Sequence, residues 1–258
     1  MSIVIVEYNS VDEICQCVDR IYKSLSVPVE VVVSSNSCYA QAERERLKKA
    51  DSRVTWLFNS RNGGFAYAMN EGLKVAKGDY LVIMNSDCSI NFDLSEMVAF
   101  MSRHEEIGAV GPCIHDAEGN LQDTARPYVS LPRLLWRQVK RMLLHKTSVL
   151  NPDMDYTKTQ TVDWVIGAFI MVSRKAYELT GGLDDRFFMY AEDLDWCTRI
   201  RMNGLEIVYY ANSDITYKGT RRARSNKKYA KIFLRSHLIY WHKYGFVYGY
   251  PKRKKITY

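Results

Sequence analysis

The stretch IVIVEYNSVDEICQCVDRIYKSLSVPVEVVVSS, residues 3–35, decides the fold. IVIVEY (3–8) and VEVVVSS (29–35) are short β-branched runs suited to strands buried on both faces. Between them Val11, Ile14, Cys15, Val18, Ile21, Tyr22 and Leu25 recur at helical spacing, and Ser10 with Glu13 reads as a capping box. The same alternation continues through a strand at RVTWLF (53–58), a helix over 65–77 closed by Gly78, and a strand at DYLVIM (79–84). Asp93 and Glu96 form a second cap-and-box pair ahead of a helix through Arg103. Strand and helix in this order predict an α/β fold with a mostly parallel central sheet flanked by helices, Rossmann-like in its winding. Such sheets bind ligands outside the carboxyl ends of their strands. Tyr8-Asn9, Ser34-Ser35-Asn36 and Asn85-Ser86-Asp87 all follow strand runs and should converge on one crevice.

Beyond residue 110 the pattern changes. A segment with turn residues and a basic amphipathic helix leads into VDWVIGAFIMVSRKAYEL, a strand followed by a helix, which reads as a smaller lobe built onto the first sheet. The 258 residues suffice for one large domain or two packed lobes, and no apolar run is long enough to span a membrane. The start of the chain enters a strand without a signal-like segment, so a cytoplasmic protein is expected. Six cysteines without CxxC spacing give neither a zinc site nor a disulfide framework, and buried reduced thiols are expected. Much of the net charge of +7 lies after residue 217 and suits an anionic partner. No helix-turn-helix, zinc-finger or RNA-recognition pattern is present, so nucleic acid is not expected as that partner. The tail's aromatic residues, interleaved with Lys and Arg, suit an anionic membrane surface, and suit equally a helix packed on the core or a dimer contact.

Three groups can carry chemistry. Asn85 and Asp87 put an amide and a carboxylate at a strand end, which suits a divalent cation completed by phosphates, or a plain Asx turn. Asn62-Gly63-Gly64 before a helix lets a ligand approach the backbone, without the spacing of a Walker or dinucleotide loop. In FFMYAEDLDWCTRI (187–200), Asp195 has an i,i+4 partner in Arg199, whereas Glu192 and Asp193 sit at a helix start. Asp193 emerges from the apolar FFMY run into the crevice, where a fixed carboxylate could take a proton from an attacking hydroxyl.

The series IVIVEYNS, VVVSSNS, NSRNGGFAYAMNEGL, GDYLVIMNSD, VDWVIGAFIMVSRKAYELTGGLDDRFFMYAEDLDWCTRIR and ITYKG, taken in order, resembles the inverting glycosyltransferases of family 2, with the GT-A fold. The likeness spans about residues 3–220 and is strongest to the rhamnosyltransferase-like branch. It implies transfer of a sugar from a dTDP- or UDP-sugar to a hydroxyl of a glycan, lipid-linked, in bacterial cell-surface polysaccharide synthesis. By the resemblance, Tyr8, Asn9 and Ser35 hold base and ribose, and Asn62 and Gly63 lie beside the nucleoside. Asn85 and Asp87 stand at the DxD position, where Mg²⁺ or Mn²⁺ holds the diphosphate. Asp193 matches the base, Glu192 orients a substrate beside it, and Trp164, Gly167 and Ala168 line the acceptor side.

Three positions depart from the family pattern: Ser35 replaces an acidic base-binding residue, Asn85 replaces the first DxD carboxylate, and Tyr217 replaces a His. Lys218, Arg221 or Arg222 could then offset diphosphate charge. The helix start is expected to keep Asp193 ionised and somewhat less basic than usual. The resemblance divides the chain into a GT-A unit at 1–222, with donor half 1–110 and acceptor half 111–222, and a basic aromatic helical tail at 223–258. Relatives often pair, so a homodimer is one expected state, and the place implied is the inner face of the plasma membrane, peripherally attached. The alternative is a degenerate relative that binds sugar nucleotide or glycan without turnover.

Overall fold

The computed structural model describes residues 1–128, 150–151, 154–219, 227–245 and 256–258. The N-terminal alternation is present as β1 (Ser2–Glu7), α1 (Val11–Ser24), β2 (Glu30–Ser35), α2 (Gln41–Ala50), β3 (Val54–Phe58), α3 (Phe65–Val75) and β4 (Tyr80–Met84). Helix α2 was not anticipated: QAERERLKKA buries only Leu47 and carries no apolar stripe to read. The chain continues through β5 (Cys88–Ile90), α4 (Leu94–Ser102), β6 (Ile107–His115), β7 (Ala125–Arg126), β8 (Gln160–Val162), β9 (Trp164–Val165) and β10 (Phe169–Ser173). It ends with α5 (Arg174–Thr180), α6 (Glu192–Met202), β11 (Glu206–Tyr217) and α7 (Lys227–Tyr244).

The main sheet has the order β3-β2-β1-β4-β10-β6-β11-β5, with β8 on β11, and β7 pairs β9 in a separate ribbon. Strands β3, β2, β1, β4, β6 and β11 run one way, while β10, β5 and β8 run against them. The reversed β10 matters for function. Its amino end lies at the same sheet edge as the carboxyl ends of β1, β2 and β4, and Asn85 N–H donates to the Ala168 carbonyl at 2.9 Å.

Period-two alternation divides the core between the two sheet faces. Ile3 and Ile5 join Ile14, Val18 and Ile21 of α1, whereas Val4 joins Met69 and Leu73 of α3. The second face also receives Leu194, Trp196 and Ile200 of α6 and Tyr240 and Trp241 of α7. Each fully buried large apolar side chain stabilises the fold by about 1.5–3 kcal/mol.

Two local expectations are corrected. Ser10 makes no side-chain cap; its N–H donates to Glu7 Oε1 at 2.8 Å, and Glu13 accepts from Ser86 Oγ instead of closing a box. Cys17, not Cys15, faces the core, because the stripe of Ile14, Val18 and Ile21 lies closer in azimuth to position 17. All six cysteines are free, and Cys15 and Cys38 are exposed. The Asp93 cap of α4 is present and accepts from Ser95 N–H at 2.9 Å.

Of the C-terminal tail, α7 packs on the core: Ser236, His237, Tyr240 and Trp241 are buried. Ser236 Oγ donates to the Met189 carbonyl at 2.7 Å, and Lys243 Nζ lies 2.6 Å from Asp195 Oδ1 and 2.9 Å from Asp184 Oδ2. The basic amphipathic segment at 131–145, Arg221 and Arg222, and the tail residues 246–255 lie outside the described residues. No helix among the described residues is long and apolar enough to cross a membrane.

Candidate active site

At the end of β1, Tyr8 stands 54% exposed, and Asn9 adopts a left-handed conformation with its N–H 2.6 Å from Ser37 Oγ. Below them Glu7 is fully buried and accepts from Ser10 N–H, the hydroxyls of Ser35 and Ser37, and the Tyr39 hydroxyl. Ser35 thus spends its hydroxyl on Glu7 beneath the strand ends, while Tyr8 and Asn9 lie above. Next to it, Asn59 Nδ2 donates to Ser34 Oγ and Asn36 Oδ1, both at 3.0 Å. Asn36 Nδ2 donates in turn to the Gly64 carbonyl at 3.0 Å and Asn62 Oδ1 at 3.3 Å. These buried amides fix the Asn62-Gly63-Gly64 turn against β2. Gly64 has φ +93°, and a Cβ there would collide with the Phe188 carbonyl oxygen, which accepts from Phe65 N–H at 2.7 Å. The Asn62-Gly63-Gly64 turn is therefore docked directly on the loop that precedes α6.

At the end of β4, Arg20 Nη2 holds the Ser86 carbonyl at 3.0 Å. The end of β11 closes over the same turn: Gly219 N–H lies 3.2 Å from Asp87 Oδ2, and Asn85 Nδ2 lies 3.3 Å from the Tyr217 hydroxyl. Burial first, then the nearby Asp87 charge, holds the Tyr217 phenol well above its ordinary pKa, so it is neutral at pH 7. Asn85 and Tyr217 thus satisfy each other without adding charge, and Asn85 Oδ1 has no hydrogen-bond partner among the described residues. Asp87 is the carboxylate of this turn, and no cluster of three or more His, Cys, Asp and Glu is found among the described residues. That donor set fits a divalent cation held by one carboxylate and one amide oxygen, with the remaining ligands supplied by a diphosphate and water. Lys218 reaches this turn through its backbone N–H, 3.5 Å from the Asp87 carbonyl.

The third component comes from α6. Tyr190 and its N-cap Ala191 both have positive φ, 71° and 65°, an uncommon conformation for non-glycine residues that turns the chain sharply into the helix. Asp193 then accepts from Gly167 N–H at 2.7 Å through Oδ2 and from Leu194 N–H at 2.8 Å through Oδ1. A Cβ at Gly167 would lie 3.2 Å from Asp193 Cβ, a tight contact that Asp193 would have to yield to by a few tenths of an ångström. Glu192 is buried, and its Oε2 has no hydrogen-bond partner among the described residues.

Burial raises the pKa of both carboxyls. For Glu192 the Asp193 charge adds to the rise; for Asp193 the Gly167 and Leu194 N–H groups and the Arg126 charge offset part of it. This corrects the expectation that the helix start makes Asp193 less basic, because loss of water outweighs the N-terminal amides. Asp195, two residues on, is fully buried and held by Arg199, as the i,i+4 spacing predicted, and further by Lys243 and Tyr244.

The edge of β10 joins these parts. The Ala168 carbonyl accepts from Asn85 of the DxD-like turn, and the adjacent Gly167 donates to Asp193. Trp164 lies in β9, buried, with its indole N–H on the Pro127 carbonyl at 3.0 Å. Tyr8, Asn9, Asn62, Gly63, Asn85, Asp87, Gly167 and Ala168 thus lie on strand ends and turns, and Glu192 and Asp193 open helix α6, which meets them through the Asp193–Gly167 contact. Sequence reasoning missed Glu7, Asn59, Asp123 and Arg126. Glu7 could have been questioned as a carboxylate ending an apolar strand, whereas Arg126 gave no local signal.

Comparison with known proteins bears on the family and the fold. Residues 2–180 match the family described as Glycosyl transferase family 2. The chain is 27% identical over 148 residues to an N-acetylglucosaminyl-diphospho-decaprenol L-rhamnosyltransferase of Mycobacterium tuberculosis, covering 54% of this chain and 47% of the relative. Rhamnosyltransferase WbbL of Escherichia coli is 26% identical over 154 residues, covering 58% of this chain and 56% of its own. The chain therefore spans about half the length of these curated relatives. Among solved structures, the mannosyltransferase PcManGT from Pyrobaculum calidifontis, in complex with GDP-Man and Mn²⁺, superposes with a TM-score of 0.62 at 18% identity. That match covers 95% of this chain and 65% of PcManGT, and it supports the GT-A fold. The sheet and the matched span agree: the chain belongs to glycosyl transferase family 2.

Proposed function

We propose that the protein moves a sugar from a dTDP- or UDP-sugar to a hydroxyl of a lipid-linked glycan acceptor, inverting the anomeric carbon, in cell-surface polysaccharide synthesis. The observation supporting this reading is the pair of backbone contacts from adjacent residues, Ala168 to Asn85 and Gly167 to Asp193, which ties the diphosphate turn to the half-buried carboxylate. Residues 1–110 take the donor, residues 111–222 supply the acceptor side and the base, and helix α7 of the tail braces them. Tyr8, Asn9, Asn62 and Gly63 hold the nucleoside, and Ser35 contributes through Glu7. Asn85 and Asp87 would hold Mg²⁺ or Mn²⁺, which would offset the negative charge of the leaving diphosphate. Lys218 and the neutral Tyr217 flank that group.

Asp193 takes the proton of the acceptor hydroxyl as its oxygen bonds to the anomeric carbon, while the bond from that carbon to the diphosphate oxygen breaks on the opposite side. Fixed by two backbone N–H groups, the carboxylate does not have to reorganise, and its raised pKa makes it a stronger base than an exposed Asp. Burial keeps Glu192 protonated further up the pH scale, so it can donate a hydrogen bond to a substrate oxygen. Trp164 forms an apolar wall on the acceptor side. The outward face of α7, with Lys227, Lys231 and Arg235 exposed beside Leu234 and Leu238 and no acidic residue in the helix, suits peripheral contact with an anionic membrane.

Calorimetric binding of UDP, dTDP and GDP, each with and without Mn²⁺, tests the donor half on the wild type and Asp87→Ala. Tight binding of one nucleotide that requires both metal and Asp87 is expected. Binding indifferent to both would remove the cation from the scheme.

A further inference from the structure

One cation beside the base has no part in the chemistry described above. Arg126 pairs in register with Trp164 across the β7–β9 ribbon, and its guanidinium carbon lies 5.3 Å from the centroid of the indole. The platform beneath it is fixed: the Trp164 indole is tied to Pro127, and Ile166 N–H donates to the Thr124 carbonyl at 3.0 Å. The Nε of Arg126 donates to the carbonyl and Oδ2 of Asp123, at 2.9 and 3.1 Å, and buried Asp123 also accepts from the Tyr156 hydroxyl at 3.0 Å. Stacked on a ring and held at one nitrogen, the guanidinium has both its plane and its direction set.

Its other two nitrogens have no hydrogen-bond or ion-pair partner among the described residues, and the side chain is 26% exposed. The ribbon that carries it leads directly into Gly167, whose N–H holds Asp193. The free edge of the fork therefore lies on the base side of the reacting carbon, and its positive charge acts on Asp193. The donor diphosphate belongs to the other side, at Asn85 and Asp87. A rigid fork with two open N–H pairs matches a phosphate in bidentate geometry.

We infer that Arg126 is a specificity-determining residue for the acceptor, taking a phosphate carried by the same sugar that presents the attacking hydroxyl. This rests on the reading of Asp193 as base, which fixes the acceptor side. Hydrogen bonds to a charged group of this kind favour the phosphorylated acceptor by about 10–100-fold over a neutral glycoside. Donor nucleotide binding would be unaffected by the loss of Arg126.

The test compares binding of the 1-phosphates of N-acetylglucosamine, glucose, galactose and rhamnose with that of the matching methyl glycosides. Titration calorimetry is run on the wild type, Asp87→Ala, Arg126→Met and Arg126→Gln, with folding checked by thermal melting. Methionine retains an apolar stem over Trp164, and glutamine supplies a second neutral variant. At least one 1-phosphate should bind about 10–100-fold tighter than its glycoside in the wild type and Asp87→Ala, with the advantage lost in both Arg126 variants. The proposal is overturned by three results: no phosphate advantage in any pair, one that survives in the Arg126 variants, or one that disappears in Asp87→Ala instead. Binding needs no turnover, so a failure of Asp193 as base would appear separately, as glycosyl transfer that persists in Asp193→Asn.

Discussion

Two faces of helix α6 carry carboxylates in opposite surroundings. On one face Asp195 is saturated: Arg199 Nε at 2.8 Å, Lys243 Nζ at 2.6 Å and the Tyr244 hydroxyl at 2.9 Å all converge on it. Lys243 also reaches Asp184, and Arg199 donates to the carbonyls of Thr180 and Gly182, so this carboxylate ties α5, α6 and α7 together. On the other face Asp193 has two backbone amides, and at the first residue of the helix Glu192 Oε2 has no partner, with no cation hydrogen-bonded to either among the described residues. A buried carboxylate costs free energy unless it is paired. Asp195 meets that cost locally, whereas Glu192 and Asp193 do not, and their raised pKa values are the consequence. The difference separates a structural acid from the pair to which the proposed function gives proton transfer and substrate contact.

Substitutions sharpen or break this contrast, beginning with the largest effect. Asp193→Asn keeps the shape but removes the base, and turnover should fall about 10²–10⁴-fold in steady-state assays, with nucleotide affinity unchanged. Asp195→Ala should act in the opposite way. It leaves Lys243 and Arg199 without their shared anion and lowers the free energy of unfolding by about 3–5 kcal/mol in urea titrations. Gly64→Ala forces a Cβ at φ +93° against the Phe188 carbonyl, and a loss of about 1–3 kcal/mol is expected, with weakened nucleotide binding.

The smallest effect concerns pH. A carboxyl whose folded pKa is raised favours folding most below its unfolded pKa, and that contribution is lost as pH rises through the folded value. Wild-type stability should therefore decline as pH climbs out of the ordinary carboxylate range, with a slope of at most about 1.4 kcal/mol per pH unit for each such carboxyl. Glu192→Gln should flatten the decline, as read from melting temperatures across pH.

The same contrast explains what the sequence could disclose. The β1–β4 half was legible because each strand is a contiguous β-branched run and each crossover helix, α2 excepted, carries its own stripe or cap. β6 was not, since IGAVGPCIH looks like a turn; Gly108 and Gly111 are there because Ile200, Leu205 and Val165 pack where a Cβ would stand. Asp195 with Arg199 could be read from i,i+4 spacing, but Lys243 and Tyr244 reach it from about fifty residues away. Asp193 was identified from motif order, yet its basicity depends on burial, and helix-end reasoning alone gave the wrong sign. Arg126 acquires meaning only through the register of β7 on β9, which no local pattern encodes.

The most direct test of Asp193 as the base is the pH dependence of kcat/KM, measured for the wild type and Asp193→Asn with the sugar nucleotide that calorimetry selects. An acid limb titrating above the ordinary carboxylate range in the wild type, and absent from the residual rate of Asp193→Asn, is the predicted result. The same limb persisting in Asp193→Asn at near wild-type rates would contradict it.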